Sequence, residues 1–371
     1  MNELEKLFAS GKTVVVQTAP SVRVSLGEEF GLKPGTDVTG RTVAALHMLG
    51  FKYVFDTDFG AEATVLEESQ ELLERLEKQE RLPLLTSCCP GWPRYCLKMF
   101  PGLEGNLSEA KSPQQMLGAI AKTYFAKKIR KSAGDIAVVS IMPCFAKKLE
   151  AKEREREIAG ATQDVDRVIT THELAQLLKS KGIDLRRLPD EAFDNPLGVA
   201  GGAGALFGVT GGIAEAVLRT AYYTVTEGTL PRFESNMRPS LGQIKELSMM
   251  LGEREVHLAI VQGYRDASVI CKRILEERRN GVRSLDFVEV LGCIGGCVGG
   301  PGQPDTVEGS VLSRAAALHE HDRKLPFRDA HNNPAVKETY AALFGKPGSG
   351  KAKKLLHRSE RDYEEIMGTL T

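Results

Sequence analysis

Five of the seven cysteines in this chain fall in three short loops rich in proline or glycine, each directly behind an apolar run. The loops are Thr86-Ser-Cys-Cys-Pro-Gly-Trp92, Met142-Pro-Cys-Phe-Ala-Lys-Lys148, and Cys293-Ile-Gly-Gly-Cys297 continuing as Val-Gly-Gly-Pro-Gly-Gln-Pro304. A cysteine at a strand end, beside small residues, can present a thiolate to a buried group. Proline and glycine let the backbone fold around that group and leave amide N–H donors facing sulfur. Whatever fold the chain adopts, it has to carry three strand ends, spread over two hundred residues of sequence, to one place. The odd cysteine count argues against a disulfide framework, and the N-terminus, Met-Asn-Glu-Leu-Glu-Lys6, has neither an apolar signal core nor an arginine pair. A cytoplasmic protein with reduced thiols is the expectation. Those thiols serve a metal or catalysis; two buried apolar cysteines, or a zinc site, are the alternatives for the Cys293/Cys297 pair taken alone. Cys96 and Cys271 lie on helical patterns without flanking glycine or proline and read as core residues.

Thr13–Thr18, Lys52–Asp56, Asp135–Ile141, Val165–Ile169, Val256–Gln262 and Asp286–Leu291 read as buried strands. Helical periodicity covers Ala61–Lys78, Ser112–Lys128 and Thr171–Lys181, the last opening on a capping box, Thr170 with Glu173. Strands alternating with helices predict an α/β fold. Past the glycine- and proline-rich stretch 299–304 only helices are expected, at Val311–Leu318, Asn333–Phe344 and Lys351–His357, wrapping the larger domain. Lys plus Arg equals Asp plus Glu, 49 each, so charge points to neither nucleic acid nor a membrane surface, and no apolar run is long enough to span a bilayer. Gly345–Lys351 has the spacing of a phosphate-binding loop, but Ala352 stands where magnesium needs a hydroxyl and no strand precedes it. In Gly201–Gly212, Phe207 occupies the third glycine position of a dinucleotide loop, so these glycines read as sites of close backbone approach.

The loops TSCCPGW, MPCFAKK and CIGGC followed by GQP resemble, in the same order, the three signatures of the iron-only hydrogenases (FeFe-hydrogenases), and further similarity covers 17–31, 54–68, 106–119 and 202–212. The resemblance implies a two-lobed α/β catalytic domain over 1–305, with lobes at roughly 1–160 and 161–305 and twisted sheets flanked by helices around a buried metal cluster. A helical tail over 306–371 would resemble the family's small subunit. It implies an H-cluster: a 4Fe-4S cubane on Cys89, Cys144, Cys293 and Cys297, bridged through Cys297 to a di-iron subsite with CO, cyanide (CN) and azadithiolate ligands. Cys88 stays unligated as proton donor. Lys147 would face a cyanide ligand, since a buried ammonium is tolerable only against such a negative partner. Ser112, Gln114, Pro20, Ser21, Met142 and Phe207 would line the di-iron pocket.

Glu68, Glu71 and Arg75 share one helix face by spacing, a pattern that alone reads as a solvated charged stripe. The resemblance instead puts Cys88, Glu68, Ser108, Glu71 and Arg75 on a proton route to the surface, with Glu150 nearby. The reaction implied is reversible: 2H⁺ + 2e⁻ to H₂. No cysteine precedes Cys88, so electrons are expected to arrive directly from an external, ferredoxin-like carrier, and hydrogenase maturation proteins would build the cofactor. Basic groups at Lys127, Lys128, Arg130 and Lys131, at Lys148 and Lys152, and at Lys351, Lys353 and Lys354 are candidate docking surfaces for that carrier. A low-turnover hydrogen sensor and a non-catalytic iron–sulfur assembly protein are the competing readings. Two departures from the family pattern, Leu291 and Pro301, are expected to alter packing or potential without preventing cluster binding.

Overall fold

A computed structural model of the protein describes residues 3–152, 163–231 and 241–358, together with Tyr363 and Ile366. The strands are β1 (Thr13–Thr18), β2 (Tyr53–Asp56), β3 (Leu84–Thr86), β4 (Ile136–Met142), β5 (Arg167–Thr170), β6 (Lys245–Leu251), β7 (Arg254–Gln262) and β8 (Phe287–Leu291). They form two four-stranded sheets, ordered β2-β1-β4-β5 and β3-β8-β7-β6. The first is parallel throughout, with Val15 between Tyr53 and Val138. Helices cover both faces of such a sheet, which is why β1 and β4 are continuous apolar runs. In the second sheet only the edge pair β6–β7 is antiparallel. Because β3 joins the second sheet and β5 the first, the two sheets interleave along the chain instead of dividing near residue 160. β3 thereby delivers its cysteine loop beside that of β8.

The Thr57–Lys78 helix lies between the two halves of the core. Phe59 and Ala63 pack with the first sheet; Ala61, Val65, Leu72 and Leu76 pack with the second. Asp56 caps it, accepting from Asp58 N at 3.1 Å. Glu62, Glu67, Glu68 and Glu71 on this helix are all buried, so the charged stripe is not a solvated one. The expected Ser112–Lys128 helix is realised as Pro113–Ile120, a π turn over Ala121–Phe125 and a last turn Ala126–Lys128. Thr170 and Glu173 form the predicted capping box.

The tail helices span Ser310–Lys324, Pro334–Leu343 and Gly350–Leu356. They clasp the large domain through buried polar bonds. Asn333 Nδ2 donates to Glu62 Oε2 at 2.6 Å, and Tyr340 Oη to Glu67 Oε1 at 2.6 Å. The Gly345–Lys351 turn is a helix junction whose Gly348 N donates to Glu67 Oε2 at 2.9 Å. The glycine-rich stretch after 201 forms short turns, and a Cβ at Gly204 would collide with the Asp58 carbonyl. The close approach anticipated there is to the central helix. No described helix is long and apolar enough to cross a membrane.

Candidate metal-cluster site

The site is built from strand ends. β1 and β4 run parallel, as do β3 and β8, and their carboxyl ends release Ala19–Ser21, Pro143–Cys144, Cys88–Cys89 and Cys293–Cys297. Parallel sheets open a crevice at that edge. Here it holds two adjoining cavities. One is lined by Cys88, Cys89, Cys144, Cys293, Cys297 and Leu291, among others. The other is lined by Pro20, Ser21, Gln114, Met142, Lys147 and Phe207, again with Cys88 and Cys297. Cys297 thus faces both spaces. The third loop closes on the second: Gly300 leaves no room for a side chain, since a Cβ would sit 2.5 Å from the Pro143 carbonyl oxygen. Gln303 ties the loop down, accepting from Ser25 Oγ at 2.7 Å and donating to the Ser21 and Cys297 carbonyls at 3.2 and 3.3 Å. Pro301 is exposed and outside both cavities, whereas Leu291 is buried against the cysteines.

All the described cysteines are unpaired as disulfides. Burial pushes the Cys293 thiol up to about 12, and Cys89, Cys144 and Cys88 add repulsion; burial likewise raises Cys144. The neighbouring Cys88 thiol and burial hold Cys297 far above the usual thiol range. Thiols crowded this way cannot all ionise unless cations enter among them. Among the described residues no three His, Cys, Asp or Glu side chains converge tightly enough for one metal ion. Five cysteines around one cavity, one more than a cubane needs, suit a polynuclear iron–sulfur cluster instead. The adjoining cavity has its own signature. Ser21 Oγ and Gln114 Oε1 are buried with no hydrogen-bond partner, in a space that is otherwise mainly apolar. Such orphaned groups, with the Lys147 ammonium, fit a compact polar ligand. Ser112 does not line this cavity; its hydroxyl donates to Glu150 Oε2 at 2.8 Å.

Lys147, besides lining the second cavity, has a protein partner. Its Nζ is 2.9 Å from Glu150 Oε2, and both are buried. Burial would lower the Lys147 pKa, but the Glu150 carboxylate outweighs it and the net shift is upward. Burial works against ionised Glu150 too, and Lys147 and Arg358 overcome it, holding the carboxyl below its ordinary value. Glu150 also accepts from Gln114 Nε2 at 2.7 Å, and no described hydrogen bond joins it to Glu68, Ser108 or Glu71. Glu150 is thus the shared counter-ion of Lys147 and Arg358.

The other acids do form a chain. Glu68 Oε1 accepts from Thr86 Oγ1 at 2.5 Å and from Ser108 Oγ at 2.8 Å. Ser108 Oγ also lies 3.1 Å from Glu71 Oε2, and Glu71 Oε1 pairs with Arg75 at 2.5 Å. One hydroxyl proton cannot serve both carboxylates at once, so Ser108 is placed to pass it between them. Burial raises Glu68 to about 7 against the relief given by Thr86 and Ser108, and its Oε2 has no partner. Arg75, expected at the outer end, is buried; it donates to the carbonyls of Arg81, Gly105, Asn106 and Leu107. Glu71 and Arg75 nonetheless line a surface cavity with Glu109, Lys353 and His357. Cys88 is buried, its sulfur 3.9 Å from the Phe207 carbonyl oxygen.

Several residues at the site carried no sequence signal. Tyr264 Oη lies 3.6 Å from Cys89 Sγ, with its ring stacked on Tyr95. Thr86 is a donor to Glu68. The end of the tail runs along 108–111: His357 bridges to Ala110, Tyr363 Oη donates to Ser108 O at 2.7 Å, and Arg358 reaches Glu150 at 3.1 Å. Cys96 and Cys271 are core residues, as expected.

The family described as iron only hydrogenase large subunit, C-terminal domain, matches residues 12–301, and iron hydrogenase small subunit matches 309–359. The NADP-reducing hydrogenase subunit HndD of Solidesulfovibrio fructosivorans is 44% identical over 95% of this chain, which spans 61% of that protein's length. Protein NAR1 of Arabidopsis thaliana is 30% identical over 100% of this chain and 82% of its own. Among solved structures, apo [FeFe]-hydrogenase HydA1 from Chlamydomonas reinhardtii, in a single-residue variant, superposes with a TM-score of 0.82 at 36% identity, covering 96% of this chain and 98% of that one. The matched segments contain all five cysteines around the first cavity and the residues lining the second, and the chain belongs to the iron-only hydrogenase family, carrying its H-cluster domain.

Proposed function

We propose that this protein is a working hydrogenase, interconverting two protons and two electrons with dihydrogen. The observation that carries this reading is the second cavity: mainly apolar, sharing Cys297 with the cysteine cavity, and furnished with orphaned Ser21 and Gln114 atoms and a lysine. Cys89, Cys144, Cys293 and Cys297 would hold the cubane, with Cys297 facing a di-iron subsite carrying CO, cyanide and azadithiolate. When bound, the two parts together supply the electrons and the metal at which the H–H bond is made or broken. Met142, Phe207 and Pro20 exclude water; Ser21, Gln114 and Lys147 hold polar ligands. Cys88 presents a thiol proton to the cavity, and Glu68, Ser108 and Glu71 replenish it, with Arg75 fixing the outer carboxylate. A relay acid near 7 is matched to proton exchange at neutral pH.

Electrons would arrive beside Cys144 and Cys293, where Phe145 and Ile294 are half exposed. A ferredoxin-like carrier is the proposed partner. Of the three basic groups, the one at Lys148 and Lys152 adjoins a cluster cysteine in sequence, although Lys148 is paired with Glu173 at 2.5 Å. A catalytic domain at 1–305 and a small-subunit-like tail at 306–371 are supported by the two family matches. The abundance of free thiols supports a cytoplasmic setting. A role in iron–sulfur assembly is the second reading, favoured by the similarity to cytosolic iron-sulfur assembly component 3 of Bos taurus, 32% identical over 98% of this chain. It uses the cubane cysteines but gives the second cavity no task. Hydrogen evolution from a reduced viologen, after loading the cubane-bearing chain with a synthetic di-iron complex, separates the two. Turnover supports catalysis; a loaded chain that evolves no hydrogen contradicts it.

A further inference from the structure

We propose that Arg358, in the tail, is a positioning residue of the di-iron pocket: it neutralises Glu150 so that the Lys147 ammonium can turn to an anionic ligand. The inference rests on the functional reading above. Glu150 is fully buried, and one oxygen, Oε2, takes Lys147, Ser112 and Gln114 at 2.9, 2.8 and 2.7 Å. Its other oxygen, Oε1, faces Arg358 at 3.1 Å. Lys147 lines both cavities while pairing with Glu150, so one ammonium stands between a resident carboxylate and whatever occupies the pocket. A ligand bearing cyanide adds negative charge there. With Lys147 alone, one cation would serve two buried anions, an arrangement that leaves one of them uncompensated. Arg358 supplies the missing charge.

Arg358 is not a loose surface group. Its backbone N donates to Glu109 O at 2.6 Å, Leu356 O accepts from Lys111 N at 2.9 Å, and its side chain is 10% exposed. The same short pairing thus seats the tail and aims the guanidinium. Arg358 lies within the segment matched to the small subunit, which gives that segment a direct electrostatic contact with the carboxylate that pairs with Lys147 of the pocket.

The test loads full-length chain, already carrying the cubane, with the synthetic di-iron azadithiolate complex, and reads retained iron per chain and the cyanide stretching bands after desalting. Cubane absorbance controls for folding. Arg358→Gln should slow or reduce loading on the order of tenfold, the scale of leaving a partly shielded buried carboxylate short of a charged partner, and should shift the cyanide bands. Arg358→Lys should load nearly as wild type. Arg358→Gln combined with Glu150→Gln should regain loading, because no carboxylate then competes for Lys147. Wild-type loading and unshifted bands in Arg358→Gln would overturn the proposal, as would a double variant no better than the single one. If the wild-type chain itself took up no complex, the hydrogenase reading would fall first and this inference with it.

Discussion

Glu68 offers the sharpest handle on proton supply. Its ordinary pKa of 4.5 would leave about one carboxyl in three hundred protonated at neutral pH; at about 7 roughly half are. Burial therefore raises the loaded fraction of the relay by about two orders of magnitude. Glu68→Gln keeps an acceptor for Thr86 and Ser108 and places an amide where Oε2 has no partner, so the local frame survives while the titratable proton is removed. Hydrogen evolution from reduced viologen should fall by a factor on the order of 10² or more, the usual scale for losing a proton-transfer group. Cys88→Ala should do the same while the cofactor's infrared signature persists. The stability profile gives an independent sign. Folded Glu68 binds its proton more tightly than the unfolded chain does, so its contribution is complete below 4.5 and is lost as pH rises through about 7. Thermal denaturation of the glutamine variant should show a flatter fall across that window. Near-native turnover in both variants, with an unchanged pH profile, would refute the relay.

The tail should loosen in alkali. Burial would lower His357, but Glu109 and Glu67 raise it to about 9, so its clamp is complete below 6.5 and is lost as pH rises through about 9; hydrogen exchange across 350–358 should rise there and in His357→Phe at all pH values. Gly300→Ala should cost about 1–3 kcal/mol and release the cubane, seen as loss of its visible absorbance, because the added methyl meets the Pro143 carbonyl. Reduced ferredoxin should lose rate steeply between roughly 0.05 and 0.5 M salt while a viologen loses little, the screening length falling about threefold; charge reversal at Lys148 should mimic the loss, and equal salt responses would rule out a basic docking face.

Legibility in the sequence followed chemistry and burial. The cysteine loops were visible because a cluster demands one ligand type and a backbone that glycine and proline favour, and β1, β4 and β8 because strands covered on both faces are mainly apolar, Gln17, Ser140 and Glu289 being their buried exceptions. β6 escaped: it is an edge strand, mixed Lys-Glu-Leu-Ser-Met-Met-Leu with alternating exposure, and three-residue β3 is too short to show a period. The acids of the central helix were found by spacing, yet their burial was not, since nothing local distinguishes a solvated stripe from an interior one. The pairing of Glu150 with Arg358 could not be read at all, because the two lie 208 residues apart and leave no mark on the local pattern. Tyr264 beside Cys89 was hidden in the same way.

The most direct test of the central claim is infrared spectroscopy of the cubane-bearing chain after loading with the di-iron complex. Metal-bound CO and cyanide stretching bands should appear in the wild-type protein and be absent from Cys297→Ser, because a serine oxygen is a poor match for the soft bridge between the two cavities. A wild-type chain that carries the cubane but shows no such bands would contradict the account, and so would a Cys297→Ser protein with full bands and full activity.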